Sequence, residues 1–371
     1  MKICLIAHLN DLSGANKALV DLAVGLKERH DVTVVVPRKG ALSEKLEELG
    51  VTTEIIVSGT WVYKRDEHLI KKCIKRVLNF FAEGVYYRFF KKNKFDLVHY
   101  NSITYGCGAK ALNKLKTPYV WHIRELAEEN FNLTFFNKRK SYELIKGAAC
   151  ILTISKFMLN KIAQDFDKEK IVVVYDGNTI KDKPTFTPAE NYKLVLIGAI
   201  AEDKGQLDAI QALDFLSNKG IVLDLHIVGA VTDEQYHQRV LNAITPSIES
   251  HVHFEGYLKD VSKFRTSDYI ALMCSKAEAF GLVTIEAMNS GQLIIGSNGG
   301  ATPELIDSAL TGCIYEYGNH VDLANKIEML INNEEKEQIV TKAYNNVSVK
   351  FNINTTIDNV DSIYHDVITL D

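Results

Sequence analysis

The 371-residue sequence has few cysteines, no long apolar runs and no large excess of charge of either sign. Each of these absences excludes a class of protein. Its six cysteines include no Cys-x-x-Cys pair, which argues against a zinc site and against a disulfide framework, so reduced thiols are the simplest interpretation. No apolar run approaches the length of a membrane span, and the apolar stretch at the N-terminus is too short for a signal peptide. We therefore expect a cytoplasmic protein, either free or held peripherally on the inner face of the cell membrane.

The charge balance gives no general reason to expect nucleic acid as a partner, because the formal net charge is only −4. The composition, with 46% hydrophobic and 24% charged residues, is that of an ordinary soluble globular protein. The length exceeds the usual size of one domain, so we expect two domains with separate cores.

Short apolar segments of strand type alternate with helical patterns in two series. The first series is at 3–7, 32–36, 54–57, 97–100, 119–123, 150–154 and 171–174, and the second is at 194–197, 223–228, 251–254, 269–273, 293–295 and 313–315. Several segments are apolar without alternation, as strands covered on both faces should be. The pattern predicts two doubly wound parallel sheets, which bind ligands at the carboxyl ends of their strands.

The domain boundary is predicted within 175–192, where Asp176-Gly177-Asn178 is followed by Pro184 and Pro188, two of only six prolines. The domains are then 1–180 and 190–352, with a cleft between them. Helical patterns near 319–332, 334–350 and 355–369 close the chain. The last of these helices, about 355–371, is expected to pack back on the first domain.

Three strand-to-helix connections in the second domain carry residues suited to ligand binding. The first is Gly198-Ala-Ile-Ala-Glu-Asp-Lys204-Gly205, where a lysine and the N–H groups of a helix start suit a phosphate, although an ordinary tight turn has the same pattern. In the third, Gly299-Gly300-Ala-Thr-Pro-Glu, the glycines would bring backbone close to another group, while ordinary helix entry explains Thr302 and Pro303.

The second connection places Glu278 before Phe280-Gly281-Leu282 and Glu286 eight residues later. On one continuous helix these carboxylates would point about 80° apart, so we expect one on a loop and one on the helix behind it. The N–H groups of the first turn attract an anion, and Glu286 suits neutral hydroxyls such as those of a ribose. For each glutamate, a surface carboxylate with its counter-ion is the alternative.

Together the motifs Gly-x5-Lys-Gly, Glu-x-Phe-Gly-x4-Glu-Ala and Gly-Gly-x-x-Pro-Glu resemble those of the retaining glycosyltransferases of the GT-B fold, in the group often called family four. The resemblance implies two Rossmann-like domains facing a cleft, the first binding the acceptor and the second a nucleotide diphosphate sugar. It also implies transfer of a hexose, with retention, to a glycan or lipid-linked glycan in bacterial surface polysaccharide synthesis. No metal or other cofactor is expected.

The resemblance assigns roles to individual residues. Lys204 and the N–H groups at Gly281 and Leu282 would hold the diphosphate, Glu286 the ribose and Glu278 the transferred sugar. The donor-binding motifs also contain the residues Gly198, Gly205 and Phe280. Base and sugar selectivity would depend on the loop with Tyr257 and Leu258.

In the first domain, the resemblance places His122 beside the donor sugar as a third catalytic residue, although a histidine on an apolar strand is more often a satisfied core residue. Ser13 and Gly14 match a glycine-bearing loop on the acceptor side, which we extend to Arg124. The only Asp-x-Asp, Asp165-Phe-Asp167, is expected on a solvated helix end and not at a metal.

Two departures from the family pattern stand out. Ala199 takes the place of an arginine that usually joins the lysine on the phosphates, and Ser13-Gly14 replaces a pair of glycines. Arg124, Lys276 or a helix terminus would have to supply the missing positive charge. Ala199 is also the best argument for the main alternative, a non-catalytic nucleotide-sugar-binding subunit of another transferase. An epimerase of the same shape is disfavoured by Glu278 and Glu286.

Residues 61–94 carry ten Lys or Arg against three Asp or Glu, a local charge of +7. Apolar residues recur at three- and four-residue steps from Leu69 to Val85, and six aromatic residues follow between Phe80 and Phe90. This pattern predicts an amphipathic helix suited to an anionic membrane surface. Nucleic acid and a plain core helix with a solvated basic side are the alternatives.

Overall fold

The computed structural model describes residues 1–308 and 310–369, and the side chains of residues 130 and 131 lie outside this description. The chain forms two compact units. The first comprises Met1–Gly177 together with Ile353–Asp371, and the second comprises Asn178–Asn352. The division after residue 177 lies within the interval 175–192 that the prolines and the Asp-Gly-Asn turn indicated.

The first unit is built on a seven-stranded parallel sheet with the strand order β3-β2-β1-β5-β6-β8-β9. Its strands are β1 (Lys2–Ile6), β2 (Asp31–Val36), β3 (Thr52–Ile55), β5 (Leu97–Tyr100), β6 (Tyr119–Ile123), β8 (Cys150–Thr153) and β9 (Ile171–Val173). A separate antiparallel pair joins β4 (Val62–Lys64) to β7 (Leu133–Phe135). The order reverses direction beside β1, as in doubly wound sheets, so the loops after β1 and β5 lie at the switch point.

Helices flank this sheet, and the last of them comes from the end of the chain. They are α1 (Gly14–Lys27), α2 (Ala41–Glu48), α3 (Leu69–Asn93), α4 (Ala109–Leu115), α5 (Ala127–Phe131), α6 (Lys138–Lys146), α7 (Lys156–Ile162) and α14 (Ile353–Thr369). Helix α14 buries Val360 and Tyr364 in the core of this unit, and the Tyr364 hydroxyl lies 2.6 Å from His99 Nδ1 on β5. Residues 370 and 371, which the predicted C-terminal helix included, lie outside the described residues.

The second unit contains a six-stranded parallel sheet with the order β12-β11-β10-β13-β14-β15. The strands are β10 (Lys193–Ile197), β11 (Leu225–Val228), β12 (Val252–Gly256), β13 (Tyr269–Met273), β14 (Leu293–Ser297) and β15 (Cys313–Tyr315). Its helices are α8 (Gln206–Asn218), α9 (Glu234–Asn242), α10 (Leu282–Asn289), α11 (Thr302–Leu305), α12 (His320–Ile331) and α13 (Lys336–Lys350). Aliphatic residues such as Leu213, Leu216 and Ile327 pack on the sheet, as the alternation of strand and helix requires.

The predicted α/β class with two parallel sheets is confirmed, and each predicted strand is present within a few residues of its expected ends. The antiparallel β4–β7 pair was not expected. None of the helices within residues 1–308 and 310–369 is both long enough and apolar enough to cross a membrane.

Candidate functional site

Three neighbouring strands of the second unit end beside one another and carry the three sequence motifs. Strand β10 pairs with β13, and β13 pairs with β14, all in parallel. Their carboxyl ends therefore meet at one edge of the sheet, where the loops containing Lys204, Glu278 and Gly300 follow them. The fold thus assembles the motifs from three distant parts of the sequence.

Backbone contacts between these loops fix the position of Glu278. The amide of Ala301 donates to the Glu278 carbonyl at 2.8 Å, and the amide of Lys276 donates to the Asp203 carbonyl at 2.8 Å. A Cβ atom at Gly300, which has a φ of +61°, would collide with the backbone N and O of Glu278. A Cβ at Gly205 would likewise collide with the Cys274 carbonyl. The close backbone approach that these glycines allow is therefore between the loops themselves.

The Lys204 ammonium donates a hydrogen bond to Glu278 Oε2 at 2.9 Å. Both side chains are partly buried, with exposed fractions of 29% and 20%. Burial lowers the pKa of Lys204, but the charges of Glu278 and Asp203 outweigh this effect, and the net pKa is raised. Lys204 is therefore a fixed cation, and Glu278 is its counter-ion. The lysine chain also runs beside Gly198, since its Cδ lies 3.9 Å from where a Cβ of Gly198 would be.

Helix α10 begins at Leu282, four residues after Glu278. Its N-cap is Gly281, with a φ of +109°, and no side chain caps the first-turn N–H groups. The Thr284 amide donates to the Gly281 carbonyl at 3.0 Å, and the first-turn amides together form the positive end of the helix dipole. The Glu278 side chain lies over this end, because its Cγ is 3.4 Å from a Cβ placed at Gly281. The lysine that binds the Glu278 carboxylate and the start of α10 therefore both lie beside the Glu278 side chain.

Other residues of the predicted donor motifs have structural roles. Phe280 is buried, and its ring packs 5.9 Å from the ring of Phe351, while Leu282 is half-buried as the first residue of α10. Tyr257 is exposed and Leu258 half-buried after β12, which lies two strands from β10. Their part in base selectivity stays a prediction.

Glu286 lies on α10, so the expectation of one loop glutamate and one helix glutamate matches the local structure. Its Oε2 accepts a hydrogen bond from Arg265 Nη2 at 2.8 Å, and Arg265 also donates to Gln292 Oε1 at 3.2 Å. Arg265 is only 5% exposed, whereas Glu286 is 42% exposed. Burial lowers the pKa of Arg265, and Glu286 partly offsets that effect. Sequence reasoning missed Arg265, because no motif links it to a glutamate 21 residues further along the chain.

The loop that contains Ala199, residues 198–205, has no arginine. The Ala199 carbonyl accepts from Gln206 Nε2 at 2.9 Å, which ties the loop to the start of α8. Lys276 is exposed on the neighbouring loop. Arg239 on α9 pairs with Glu202 at 2.9 Å and adds a cation to the same loop that sequence reasoning did not consider.

In the first unit, a buried arginine joins the ends of several strands. Arg124, which directly follows β6, donates through Nε to Asn101 Oδ1 at 2.7 Å and through Nη1 to Asp176. Its Nη2 lies 3.2 Å from Nδ1 of His122. The guanidinium that we expected on the acceptor side is thus engaged within its own unit, and its binding role stays a prediction.

His122 is fully buried, and its Nε2 has no hydrogen-bond partner among the described residues. Burial, Arg124 and His99 all lower its pKa well below the ordinary value, so the ring is neutral. His8, after β1, has its pKa lowered to about 4, chiefly by burial. The neighbouring histidines are therefore uncharged at neutral pH, and a catalytic role for His122 stays a prediction.

Glu125 is a further buried group that sequence reasoning did not single out. It accepts hydrogen bonds from the Ser102 hydroxyl and from the Ile103 amide, the latter at 3.1 Å. Burial raises its pKa to about 7, although Ser102 and Arg124 act in the opposite direction. Ser13 and Gly14, by contrast, are exposed, and Ser13 is the N-cap of α1.

One group of side chains within the described residues has the spacing of a metal site. It consists of His30, Asp361 and His365 in the first unit, whose ligand atoms lie within 4.8 Å of one another. Asp361 already pairs with His30 at 2.6 Å and with Arg29 at 3.2 Å, which accounts for the group as an ion-pair network. Asp165 and Asp167 are exposed, and Asp167 accepts from the Glu169 amide in a short helical turn.

Comparison with known proteins agrees with this architecture. A crystal structure of Anabaena Alr3699/HepE in complex with UDP-glucose superposes with a TM-score of 0.78 at 21% identity, covering 99% of this chain and 100% of that one. The two parallel α/β units are therefore those of the GT-B fold. The family model for glycosyl transferases group 1 matches residues 178–346, and that for glycosyltransferase family 4 matches residues 12–178. The chain belongs to the GT-B glycosyltransferases that these two models describe.

Two relatives illustrate the range of this family. The uncharacterized glycosyltransferase MJ1178 of Methanocaldococcus jannaschii is 25% identical over 283 residues, which is 73% of this chain and 76% of that protein. A Campylobacter jejuni enzyme is 25% identical over 353 residues, 92% of each chain. Its name describes an α-1,4-N-acetyl-D-galactosaminyltransferase acting on an undecaprenol-diphosphate-linked glycan.

Proposed function

We propose that this protein is a retaining glycosyltransferase that moves a hexose from a nucleotide diphosphate sugar to a glycan or lipid-linked glycan acceptor. The observation that carries the proposal is the hydrogen bond from the Lys204 ammonium to Glu278, whose side chain lies beside the start of α10. A cation and a helix N-terminus both bind phosphate oxygens in proteins. A carboxylate beside them is suited to the hydroxyls of the attached sugar.

The comparisons support a uridine nucleotide and a polymeric acceptor. The Anabaena neighbour was crystallised with UDP-glucose, and the Campylobacter relative is named for a lipid-linked glycan acceptor. A Staphylococcus aureus relative, 26% identical over 192 residues, is named as a capsular polysaccharide glycosyltransferase. We propose that the protein acts in the synthesis of a bacterial surface polysaccharide, at the cytoplasmic side of the membrane.

The proposed reaction depends on neutralising the leaving group. Cleavage of the bond between the anomeric carbon and the phosphate oxygen builds negative charge on the diphosphate and positive charge on the sugar. Lys204 and the first N–H groups of α10 stabilise the diphosphate, and fixed dipoles of this kind usually supply the largest part of catalysis. When the donor binds, Lys204 exchanges part of its contact with Glu278 for the diphosphate. These groups can act without a metal ion.

Retention follows from a front-face displacement, which the family resemblance implies. The acceptor oxygen forms a bond to the anomeric carbon on the side from which the diphosphate departs. The acceptor proton passes to an oxygen of that diphosphate, so no protein nucleophile takes part. Glu278 contacts the transferred sugar, and Glu286, held by Arg265, accepts hydrogen bonds from the ribose hydroxyls.

Ala199 supports a second candidate, a nucleotide-sugar-binding subunit that assists another transferase. The arginine usual in the family would add a second cation on the phosphates, and this chain has none at that position. Such a subunit would bind the nucleotide without turning it over. The epimerase alternative remains disfavoured by the paired glutamates.

The deciding experiment begins with thermal shifts on the purified chain with UDP, GDP, ADP and dTDP sugars. The correct donor at about 100 times its Kd should stabilise the folded chain by about 2.7 kcal/mol. Slow hydrolysis of that donor without acceptor is then measured with and without EDTA. NMR of the glycoside formed with an acceptor gives the anomeric configuration, which a free sugar would lose by mutarotation. Glu278→Ala and Lys204→Ala should each lower the rate about 100-fold or more, equivalent to about 2.7 kcal/mol.

The matched control is Lys45→Ala, which removes an exposed ion pair with Glu48 on α2 and should leave hydrolysis unchanged. Donor binding without any turnover would support the subunit instead of the enzyme. Loss of activity in EDTA, or an inverted product, would refute the corresponding part of the mechanism while leaving the donor assignment intact.

A further inference from the structure

The first half of helix α3 turns polar side chains toward the unit on which it packs and apolar side chains outward. Among its residues only Ala82, Tyr86 and Phe90 are buried, and all three lie in its second half. In the first half, the inward side chains are polar. Asn79 accepts from the Gly59 amide at 2.7 Å, and Lys75 pairs with Glu67 at 2.8 Å.

The outward face of α3 is apolar and exposed. Phe80 is 77% exposed and Phe81 67%, and the two rings contact each other edge to face at 5.5 Å. At 100° per residue, the exposed apolar side chains cover an arc of roughly 160°. They are Leu69, Ile70, Cys73, Ile74, Val77, Phe80, Phe81 and Val85. We call this set the α3 outer face.

Exposed basic residues surround the α3 outer face. Lys71 and Arg76 lie at its two edges, and Arg88, Lys91 and Lys92 continue it toward the end of the helix. The three acidic residues of 61–94 do not lie on the outer face. Asp66 precedes the helix, Glu67 is paired with Lys75, and Glu83 is half-buried on the other side of the helix. The face therefore combines apolar side chains with unbalanced positive charge.

Sequence analysis left open that this segment is a plain core helix with a solvated basic side. A core helix buries its apolar stripe, whereas the apolar stripe of α3 is exposed, so the structure argues against that alternative. A second copy of the chain is an unfavourable occupant, since two segments of +7 would be brought together. Nucleic acid is also a poor match, because the centre of the face consists of aliphatic and phenylalanine side chains with the charge at its margins. An anionic bilayer satisfies both features at once.

We infer that α3 lies in the plane of an anionic membrane surface, with Phe80 and Phe81 inserted among the lipids and the flanking Lys and Arg on the headgroups. The apolar arc from Leu69 to Val85 is about 25 Å long, enough to hold one unit on the surface along its length. Tyr86 and Phe90 anchor the opposite side of the same helix in the protein. This inference does not depend on transferase activity, although it would place the enzyme beside a lipid-linked acceptor.

The test is flotation of the full chain with phosphatidylcholine vesicles that contain or lack phosphatidylglycerol, at low and high salt. The wild-type chain should float with anionic vesicles at low salt, and its bound fraction should fall at least fivefold at high salt or on neutral vesicles. Phe80→Ser with Phe81→Ser should weaken binding at least tenfold. Lys71→Gln with Arg76→Gln should remove most of the preference for anionic lipid.

Val222→Ser is the matched control, because Val222 is a similarly exposed apolar residue in the other unit, and it should float like wild type. All substituted residues are exposed, so unchanged melting temperatures will show that the variants fold. Absence of flotation, or flotation unaffected by the double serine variant, would overturn the inference. So would a dimer that the serine variant dissociates, or tight binding of single-stranded RNA in place of vesicles. Donor hydrolysis, measured in parallel without lipid, tests the proposed function separately.

Discussion

Lys204 Nζ and Glu278 Oε2 are 2.9 Å apart, although 74 residues separate them in the sequence. The family resemblance assigns these residues to the two sides of the donor bond, the diphosphate and the sugar. Because each is partly buried and serves as the counter-ion of the other, removal of one leaves the other without a partner. The ion pair can therefore contribute to the stability of the chain, while each residue contributes separately to activity. Double-mutant cycles on the free energy of unfolding and on the hydrolysis rate distinguish these two contributions.

We expect Lys204→Met and Glu278→Gln each to destabilise the chain, and the double variant to recover part of that loss. A coupling free energy of about 1 kcal/mol is expected for a pair that retains some exposure. Donor hydrolysis should not recover in the double variant, because each residue contacts a different part of the donor. Urea unfolding and hydrolysis rates of the four proteins give the two cycles.

The Lys45–Glu48 pair on the surface of α2, at 3.0 Å, provides the comparison, and its coupling should not exceed about 0.5 kcal/mol. Recovery of hydrolysis in the Lys204–Glu278 double variant would show that the two residues serve only to hold the loops together. That result would refute the proposed contacts with the donor.

We predict that glycine is required at position 300 because the backbone of Glu278 passes so close to it, and not because a bound ligand does. Alanine at this position would need a φ of +61° and would place its Cβ against the backbone N and O of Glu278. We expect Gly300→Ala to lower the free energy of unfolding by roughly 3 kcal/mol and to weaken donor binding. Gly220 has a φ of +82° with open space around it, so Gly220→Ala should cost only about 1 kcal/mol and leave binding unchanged. Equal costs for the two variants would contradict this account.

Arg265 is predicted to position Glu286 for the ribose. Arg265→Gln removes the charge that holds the carboxylate, so the donor KM should rise about tenfold while kcat changes little, since the ribose is remote from the bond that breaks. Arg265→Lys can still pair with Glu286 and should recover part of the loss. Lys263→Gln, which removes a surface contact with Glu255 at 3.2 Å, should leave both constants unchanged. An equal fall in kcat for Arg265→Gln and Arg265→Lys would indicate a general disturbance of the unit.

The sheets were predictable because apolar strand segments such as 269–273 and 293–295 are short, unbroken and separated by helical patterns. Parallel topology then places the ends of β10, β13 and β14 together, which explains why Lys204 and Glu278 could be associated from sequence alone. The β4–β7 pair was missed because each strand has only three residues, too few for a period to appear. Tertiary contacts, such as that between the rings of Trp61 and Phe135, accompany this pairing and are invisible in the sequence.

Contacts between side chains distant in sequence account for the rest of what was missed. The partner of Glu286 could not be named, because Arg265 precedes β13 and belongs to no motif. Similarly, the helical period of 69–85 gave an apolar face for α3 but not the direction in which it points. Only the packing of Tyr86 and Phe90 shows that the apolar face of the first half is turned outward.

The buried Glu125 is predicted to make the stability of the chain depend on pH. Its pKa is raised from 4.5 to about 7, chiefly by burial. Between these values the folded chain keeps a proton that the unfolded chain has lost, so this group's contribution to stability falls as the pH rises through the window. The penalty is complete above about pH 7 and amounts to about 3 kcal/mol.

Glu125→Gln cannot ionise and keeps a carbonyl that can accept from the Ser102 hydroxyl. Its stability relative to wild type should therefore rise by about 3 kcal/mol between about pH 4.5 and pH 8, measured by urea unfolding at each pH. The difference in unfolding free energy between variant and wild type is the quantity to compare at each pH. Burial lowers the pKa values of His8 and His99 to about 4 and 3, which changes stability with pH in the opposite direction, but equally in both proteins, so this effect cancels. For these neutral buried histidines, stability is lost as the pH falls below 6.5.

Ser102→Ala provides a second arm, since loss of the hydroxyl that stabilises the ionised carboxylate should move the Glu125 window to higher pH. In that background the gain from Glu125→Gln should begin at the same acidic limit and extend further into the alkaline range. A difference that stays flat with pH would mean that Glu125 ionises as readily in the folded chain as in the unfolded one. The carboxyl would then have to reach solvent, contrary to its buried position behind Ser102 and Ile103.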